Sequence, residues 1–141
     1  MTNREIGLLW TADVLSRLYE AWPSQISLSP ADTVAATQVS AEDDRATDQL
    51  WHDLGVWLGA EGLIRKSSGE LGSATIHRVV LTANGFEALG KPSPGLQMPI
   101  GHLLGELAKD AGAGAVKEVS KKAAAEVVGT LLGAFFKGAA S

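Results

Sequence analysis

Two stretches of the sequence decide the fold: WLGAEGLIR at residues 57–65 and VVLTANGFEAL at residues 79–89. In the first, Gly62 is placed to end a helix in a left-handed cap, before a short strand rich in β-branched residues. In the second, a strand runs into Thr82, which is a good N-cap for a further helix. Serine and glycine dominate the residues between the strands, so the sequence predicts a β-hairpin with a loose tip. The predicted strands are residues 63–66 and 76–81, and the predicted helix is residues 83–89.

The residues before the hairpin begin with a helix, a strand stub and a second helix. Apolar side chains recur at three- and four-residue steps over residues 4–22, which is typical of an amphipathic helix, and Pro23 stops it. Residues 26–28 are the strand stub. Ser29 followed by Pro30 starts a short helix, with serine as the N-cap and proline at the first helical position.

A longer third helix precedes the hairpin. Ser40 opens it in a variant of the capping box, with Asp43 where glutamate is usual. The side chains that we expect on its core-facing stripe are Leu50, Leu54, Trp57 and Leu58. The helical tryptophans have leucine neighbours, so we expect core packing of them rather than base stacking. Trp51 is offset from the stripe, and an exposed Trp51 would indicate a protein contact surface.

The order helix, strand stub, helix, helix, hairpin and helix resembles that of a winged helix-turn-helix domain, over about residues 4–90. Residues 57–65 followed by residues 79–89 resemble the passage of that family from its third helix through the wing to its final helix. The resemblance implies an α+β fold that is mostly helical, with a small β-hairpin as the wing. It also implies that the third helix enters the major groove of DNA while the wing lies along the backbone.

The 141-residue chain has the length of one domain with an appendage, and it divides at residues 91–95, where Lys-Pro-Ser-Pro-Gly breaks regular structure. Residues 1–90 hold six basic and twelve acidic side chains, whereas residues 91–141 hold six lysines and four acidic side chains. We therefore expect a winged-helix-like domain over residues 1–90, a Pro/Gly linker at residues 91–95, and an amphipathic, Gly/Ala-rich helical tail over residues 96–141.

The apolar residues of the tail recur at the helix period. This pattern predicts one long amphipathic helix, or two helices broken near residues 112–114. Interior glycines each cost about 0.8–1 kcal/mol relative to alanine, so this helix needs a partner surface. Gly101 with Gly105, like Gly129 with Gly133, allows close backbone approach. The residues expected to mediate helix association are Leu104, Leu107, Val119, Val127, Gly129, Leu131, Gly133 and Phe135. Four surfaces could cover them: residues 1–90 of the same chain, which we call the first unit, a second copy of the chain, a different protein or a membrane.

The charge of the third helix does not favour DNA binding. Its leading residues, 41–48, carry four carboxylates and one arginine, which would repel the phosphates of a duplex. Acidic side chains in a first turn more ordinarily cap the helix and complement its dipole. The opposing signal is a basic cluster at the base of the hairpin, which could grip a phosphate backbone. The candidate nucleic-acid contacts are Arg65, Lys66, His77 and Arg78.

No motif for catalysis, a cofactor or a metal stands out. The chain has no cysteine, its three histidines fall in three predicted elements, and it contains no GxxxxGK[ST] loop, so we expect neither enzyme activity nor a cofactor. The first residues lack the apolar run of a secretory signal. The longest charge-free apolar stretch, residues 127–136, is shorter than the roughly 20 residues that span a bilayer, and we expect a cytoplasmic protein.

These observations favour a non-enzymatic protein-interaction and assembly module. In this hypothesis the acidic winged-helix-like domain binds other proteins, and the C-terminal helix mediates self-association or docks onto a partner. The first alternative is a small DNA-binding transcriptional regulator that dimerises through the same helix and contacts DNA with the hairpin cluster. The second alternative is an assembly that associates with a membrane through the tail, whose net charge is positive.

Overall fold

The computed structural model describes residues 2–66, 75–91 and 99–112. Within these residues the chain forms five helices and a small antiparallel sheet of three strands, which confirms the α+β, mostly helical class. None of the helices in these ranges is both long and apolar enough to cross a membrane. In chain order the elements are α1 (Asn3–Ala21), β1 (Ile26–Leu28), α2 (Pro30–Thr37), α3 (Asp44–Ala60), β2 (Ile64–Arg65), β3 (Ile76–Leu81), α4 (Ala83–Leu89) and α5 (Ile100–Gly112).

Of the three helix caps that the sequence predicts, two are confirmed and one is wrong. Ser29 and Thr82 cap α2 and α4, and each accepts a hydrogen bond from the backbone N–H three residues later. The cap predicted at Ser40 is wrong. Asp43 has extended backbone dihedrals directly before α3, and its carboxylate accepts the N–H of Ala46 at 2.8 Å. Asp43 is therefore the N-cap itself rather than the third residue of a capping box.

α1 lies at the centre of the core. The prediction of a single apolar face is wrong for this helix, because α2, α3, the sheet and α5 all contact it. Trp10 is fully buried, and its indole N–H donates a hydrogen bond to the carbonyl of Val39 at 2.9 Å. The buried residues of α1 are Ile6, Leu9, Trp10, Thr11, Ala12, Asp13, Val14, Leu15 and Leu18.

The sheet has β3 in the middle, with the order β1–β3–β2 and antiparallel pairing on both sides. The pairing of Ile64 with Leu81 confirms the predicted hairpin, although β2 is shorter than predicted. The predicted strand stub is β1, which pairs with the other edge of β3. Gly62 has a φ of +74°, the left-handed conformation that the sequence predicts after α3.

The pairing of β1 with β3 contains a β-bulge. Ile26 pairs with Val79 and Leu28 pairs with Ile76, so β3 has one more residue than β1 between the two pairs. Within this bulge Arg78 has a φ of +53°, a conformation that non-glycine residues adopt rarely. The bulge shifts the alternation of side chains along β3, so that His77 and Arg78 are both exposed.

α5 packs against α1 and α2, so the described part of the tail shares the core of the first unit. Ile100, Leu104 and Ala108 are buried. Leu104, a predicted association residue, is thus covered by the first unit of its own chain. Because Gly101 faces Tyr19 and Gly105 faces Ser16, α5 runs antiparallel to α1 with its backbone close to it. The other predicted association positions lie outside the described residues, or their side chains do: Leu107, Val119, Val127, Gly129, Leu131, Gly133 and Phe135.

Candidate interaction surfaces

The core-facing side of α3 differs from the predicted stripe. Trp51 is only 2% exposed and packs edge-on against Trp10, with ring centroids 6.2 Å apart. Trp57, which we expected in the core, is 40% exposed. The buried positions Trp51, Gly55 and Leu58 follow steps of four and three. Six residues at about 100° each place Trp57 about 120° from Trp51 around the helix, outside this buried face.

The outer face of α3 combines apolar and acidic side chains. Val56 is 51% exposed and follows Asp53 by one turn of the helix. Between the N-cap and the C-cap of this helix the exposed charged groups are five carboxylates and one guanidinium. We name as the α3 outer face the exposed residues Arg45, Asp48, Gln49, His52, Asp53, Val56, Trp57, Ala60 and Glu61. This surface repels polyanions and offers two large apolar side chains for a protein contact.

Three of the four predicted basic residues lie together on one surface of the hairpin. Arg65 pairs with Val80 across the strands, so their side chains lie on the same side of the sheet. Arg78 precedes Val80 by two residues on β3 and shares that side. Together with Lys66 they line one cavity of about 550 Å³. We name this cavity the hairpin pocket; its lining residues are Trp22, Pro23, Gln25, Arg65, Lys66, Arg78, Val80, Leu81 and Ala83.

His77 does not line this pocket. Its Nδ1 atom lies 3.2 Å from the hydroxyl oxygen of Ser27 on β1, at the opposite edge of β3 from β2. In an unbroken strand His77 would share the buried side of Val79, two residues later. The bulge absorbs one residue, so His77 is exposed and lies beside β1. The predicted cluster of four is therefore a cluster of three.

An aromatic stack adjoins the hairpin pocket. Trp22, the C-cap residue of α1, stacks on Phe86 of α4 with ring centroids 3.9 Å apart and planes at 15°. Phe86 in turn stacks on Tyr19 at 5.6 Å. Sequence reasoning assigned Trp22 to the apolar face of α1 and missed its place beside the basic residues. Its position directly before Pro23, at the end of the helix, was the available signal.

A buried carboxylate on α1 was also missed. Asp13 is 6% exposed and accepts hydrogen bonds from Nε of Arg17 at 3.1 Å and from the hydroxyl of Thr33 at 2.9 Å. Burial raises the pKa of Asp13, while the Arg17 guanidinium and the Thr33 hydroxyl act in the opposite direction. Asp13 follows the buried Leu9 by four residues, so the helical period could have identified it. The bond from Thr33 joins α1 to α2, which is a structural role.

A groove of about 800 Å³ runs beside the contact between α1 and α5 and is lined by residues of both helices. Its charged lining is mixed, and it consists of Asp13, Arg17, Glu20, His102, Glu106 and Lys109. The imidazole of His102 lies 3.7 Å from a carboxylate oxygen of Glu20 and 3.7 Å from one of Glu106. These side chains are about half exposed or more, and polar contacts between such groups are weak because solvent screens them. Charges of both signs give the groove no preference for an anion or a cation.

The three histidines lie on α3, β3 and α5, in the three separate elements that the sequence predicts. In the described parts of the chain, no group of three or more histidine, aspartate and glutamate side chains could hold a metal ion. Comparison of the chain with protein-family models, with curated proteins and with solved structures gives no match.

Proposed function

We propose that this chain is a non-enzymatic protein-interaction and assembly module, built on an acidic winged-helix-like domain over residues 1–90. The order of the elements and the pairing of β1 with the hairpin support the winged-helix resemblance. In that family the third helix is the element that enters the major groove of DNA. Here this helix carries the apolar and acidic outer face, which is suited to a protein rather than to DNA.

The exposure of Val56 and Trp57 beside carboxylates carries the proposal. Tryptophan is among the residues that contribute most to binding when a partner buries it. Carboxylates around such an apolar pair attract lysine and arginine and exclude acidic partners. The chemistry of this surface therefore fits a basic amphipathic segment.

The tail of a second copy has that chemistry. Residues 113–141 carry four lysines and two glutamates, and their apolar residues recur at the helix period. The first unit already covers the buried side of α5, so the later part of the tail is the part proposed to bind elsewhere. The proposed assembly joins this segment of one copy to the α3 outer face of another.

The first test is the mass of the full-length protein in solution, measured by sedimentation velocity at several concentrations. We expect an oligomer that dissociates when Val56 and Trp57 are both replaced by serine. Gln49→Ser, on the same exposed face, is the matched control and should leave the mass unchanged. Deletion of residues 113–141, which retains α5, should give a monomer; an oligomer that survives this deletion would exclude the tail as the occupant.

A charge exchange tests the pairing itself. Asp48→Lys with Asp53→Lys should weaken the assembly, and so should Lys121→Glu with Lys122→Glu. The protein that carries all four changes should associate again, because the opposite charges face each other once more. Failure of the combined variant to recover would contradict contact between these two surfaces.

The two alternatives have direct tests. For the DNA-binding regulator we expect no binding of mixed-sequence duplexes in fluorescence anisotropy at about 50 mM salt, because the α3 outer face repels phosphate. Binding that collapses at about 200 mM salt would favour this alternative instead. For the membrane alternative, binding to anionic vesicles that is lost on deletion of residues 113–141 would be the favourable result.

A further inference from the structure

The hairpin pocket concentrates positive charge in an acidic protein. Arg65, Lys66 and Arg78 are half of the six basic residues in residues 1–90, and that part of the chain holds twelve acidic ones. None of the described residues that line the pocket is acidic. Among the described residues, none of these three side chains forms an ion pair within the chain. Clustered cations without neighbouring carboxylates repel one another, and a bound anion relieves this repulsion.

The two arginines lie on strands of the sheet rather than in loops. Arg65 pairs with Val80 across the strands, and Arg78 lies within the bulge of β3. The guanidinium group is planar and binds phosphate through two parallel hydrogen bonds, which makes arginine the preferred residue for this anion. These planar groups therefore favour an oxyanion such as phosphate over a simple halide.

Trp22 adds a planar apolar surface to the same pocket. Its indole is 38% exposed, and one of its faces is stacked on Phe86. Phe86 does not line the pocket, so the part of the indole that does is not the face covered by Phe86. Planar rings stack on tryptophan, and arginine adds to such stacking through its own planar group.

The size of the pocket suits a compact ligand. Small-molecule sites usually occupy roughly 300–1,000 Å³, and the hairpin pocket has about 550 Å³. The acidic α3 outer face would oppose the approach of a DNA duplex. We propose that the hairpin pocket binds a free nucleoside phosphate, with the phosphate groups on Arg65 and Arg78 and the base on Trp22. This site is separate from the α3 outer face and does not depend on the proposed assembly.

Isothermal titration of the full-length protein with four compounds tests the proposal. The compounds are ADP, adenosine, inorganic phosphate and a single-stranded oligothymidylate of eight nucleotides. ADP should bind more tightly than adenosine or phosphate, because only ADP engages both the cations and the ring. Affinity for ADP no higher than for inorganic phosphate would overturn the proposal, and so would binding of the oligonucleotide alone.

Two variants separate the contributions of the charge and the ring. Arg65→Gln should weaken ADP binding about tenfold, as expected for the loss of a charged hydrogen bond. Arg45→Gln makes the same change of net charge on α3 and should leave ADP binding unchanged. Trp22→Leu should reduce the affinity for ADP to that for phosphate without affecting phosphate binding, which also shows that the variant is folded. Equal effects of the two arginine substitutions would overturn the site.

Discussion

The ring of Tyr19 occupies the space that a side chain at Gly101 would need. A Cβ atom built on Gly101 would lie 2.6 Å from Cγ of Tyr19, which is closer than real atoms approach. One turn along α5, Gly105 meets Ser16 in the same way. The glycines that weaken this helix in isolation are therefore what allow it to pack on α1. The close approach predicted for the Gly101–Gly105 pair is confirmed, and it occurs within one chain.

This contact predicts opposite effects for two glycine-to-alanine substitutions. Gly101→Ala should lower the free energy of unfolding by about 1–3 kcal/mol, because the added methyl group forces Tyr19 and α5 apart. Gly59→Ala on α3 is the control, since a Cβ there has no atom within 4 Å. It should be neutral or stabilising by up to about 1 kcal/mol, because alanine is the better helix former. Urea unfolding measures both, and equal effects would contradict the packing of α5 on α1.

The different burial of the two α3 tryptophans predicts different losses of stability when each is replaced by alanine. Trp51→Ala should destabilise the protein by about 3–5 kcal/mol, because it removes a large side chain from the core. Trp57→Ala should cost far less, about 1 kcal/mol or below, because much of its side chain is already in contact with water. Thermal and urea unfolding of the two variants distinguish them. A larger loss for Trp57 than for Trp51 would mean that α3 is rotated about its axis.

Asp13 predicts a specific dependence of stability on pH. Its pKa is raised by burial above the ordinary value of 3.8, so the folded state binds the proton more tightly than the unfolded state. Its contribution to stability is therefore fully present below that ordinary value and is lost as the pH rises through the raised pKa. Relative to Asp13→Asn, the wild-type protein should lose stability over this window. Urea unfolding of both proteins from about pH 3 to pH 7 gives the difference, and a difference that increases with pH would show that the Arg17 ion pair dominates instead.

Thr82 predicts a cap effect that serine can rescue. Its hydroxyl oxygen accepts a hydrogen bond from the N–H of Gly85 at 3.0 Å, and its O–H donates one to the carbonyl of Gly62. Thr82→Ala should cost about 0.5–2 kcal/mol, because α4 loses its N-cap and the link to the end of α3. Thr82→Ser retains the hydroxyl and should recover most of this loss. Equal stability of the alanine and serine variants would show that the hydroxyl does not contribute.

The features that could be predicted from the sequence are those that a few neighbouring residues determine. A serine or threonine before a helix satisfies an N–H three residues later, and Gly62 adopts its positive φ because it lacks a side chain. The hairpin and α4 follow from the same kind of local chemistry. The error at Ser40 is also local, because two acceptable caps lie three residues apart and the helix begins after the second of them, Asp43.

The features that could not be predicted depend on which elements come together. α1 has buried residues on most sides because α5 covers the surface around Ser16 and Tyr19, and no periodicity in α1 alone contains that information. His77 lies outside the basic cluster because it sits beside Ser27 of β1, at the edge of β3 away from β2. Trp22 reaches the same pocket from the end of a different helix. The winged-helix resemblance and the proposed binding surfaces stay predictions.

One backbone hydrogen bond closes the loop that precedes α5. The N–H of Ile100 donates to the carbonyl of Lys91 at 3.0 Å, so the two ends of the segment between them meet. The entropy of closing such a loop grows slowly with its length, at about 0.6 kcal/mol for each doubling. Extra residues inserted there would scarcely loosen α5, because the buried Leu104 and the close approach at Gly101 hold it against α1. The segment between Lys91 and Ile100 can therefore change in length while α5 stays in place.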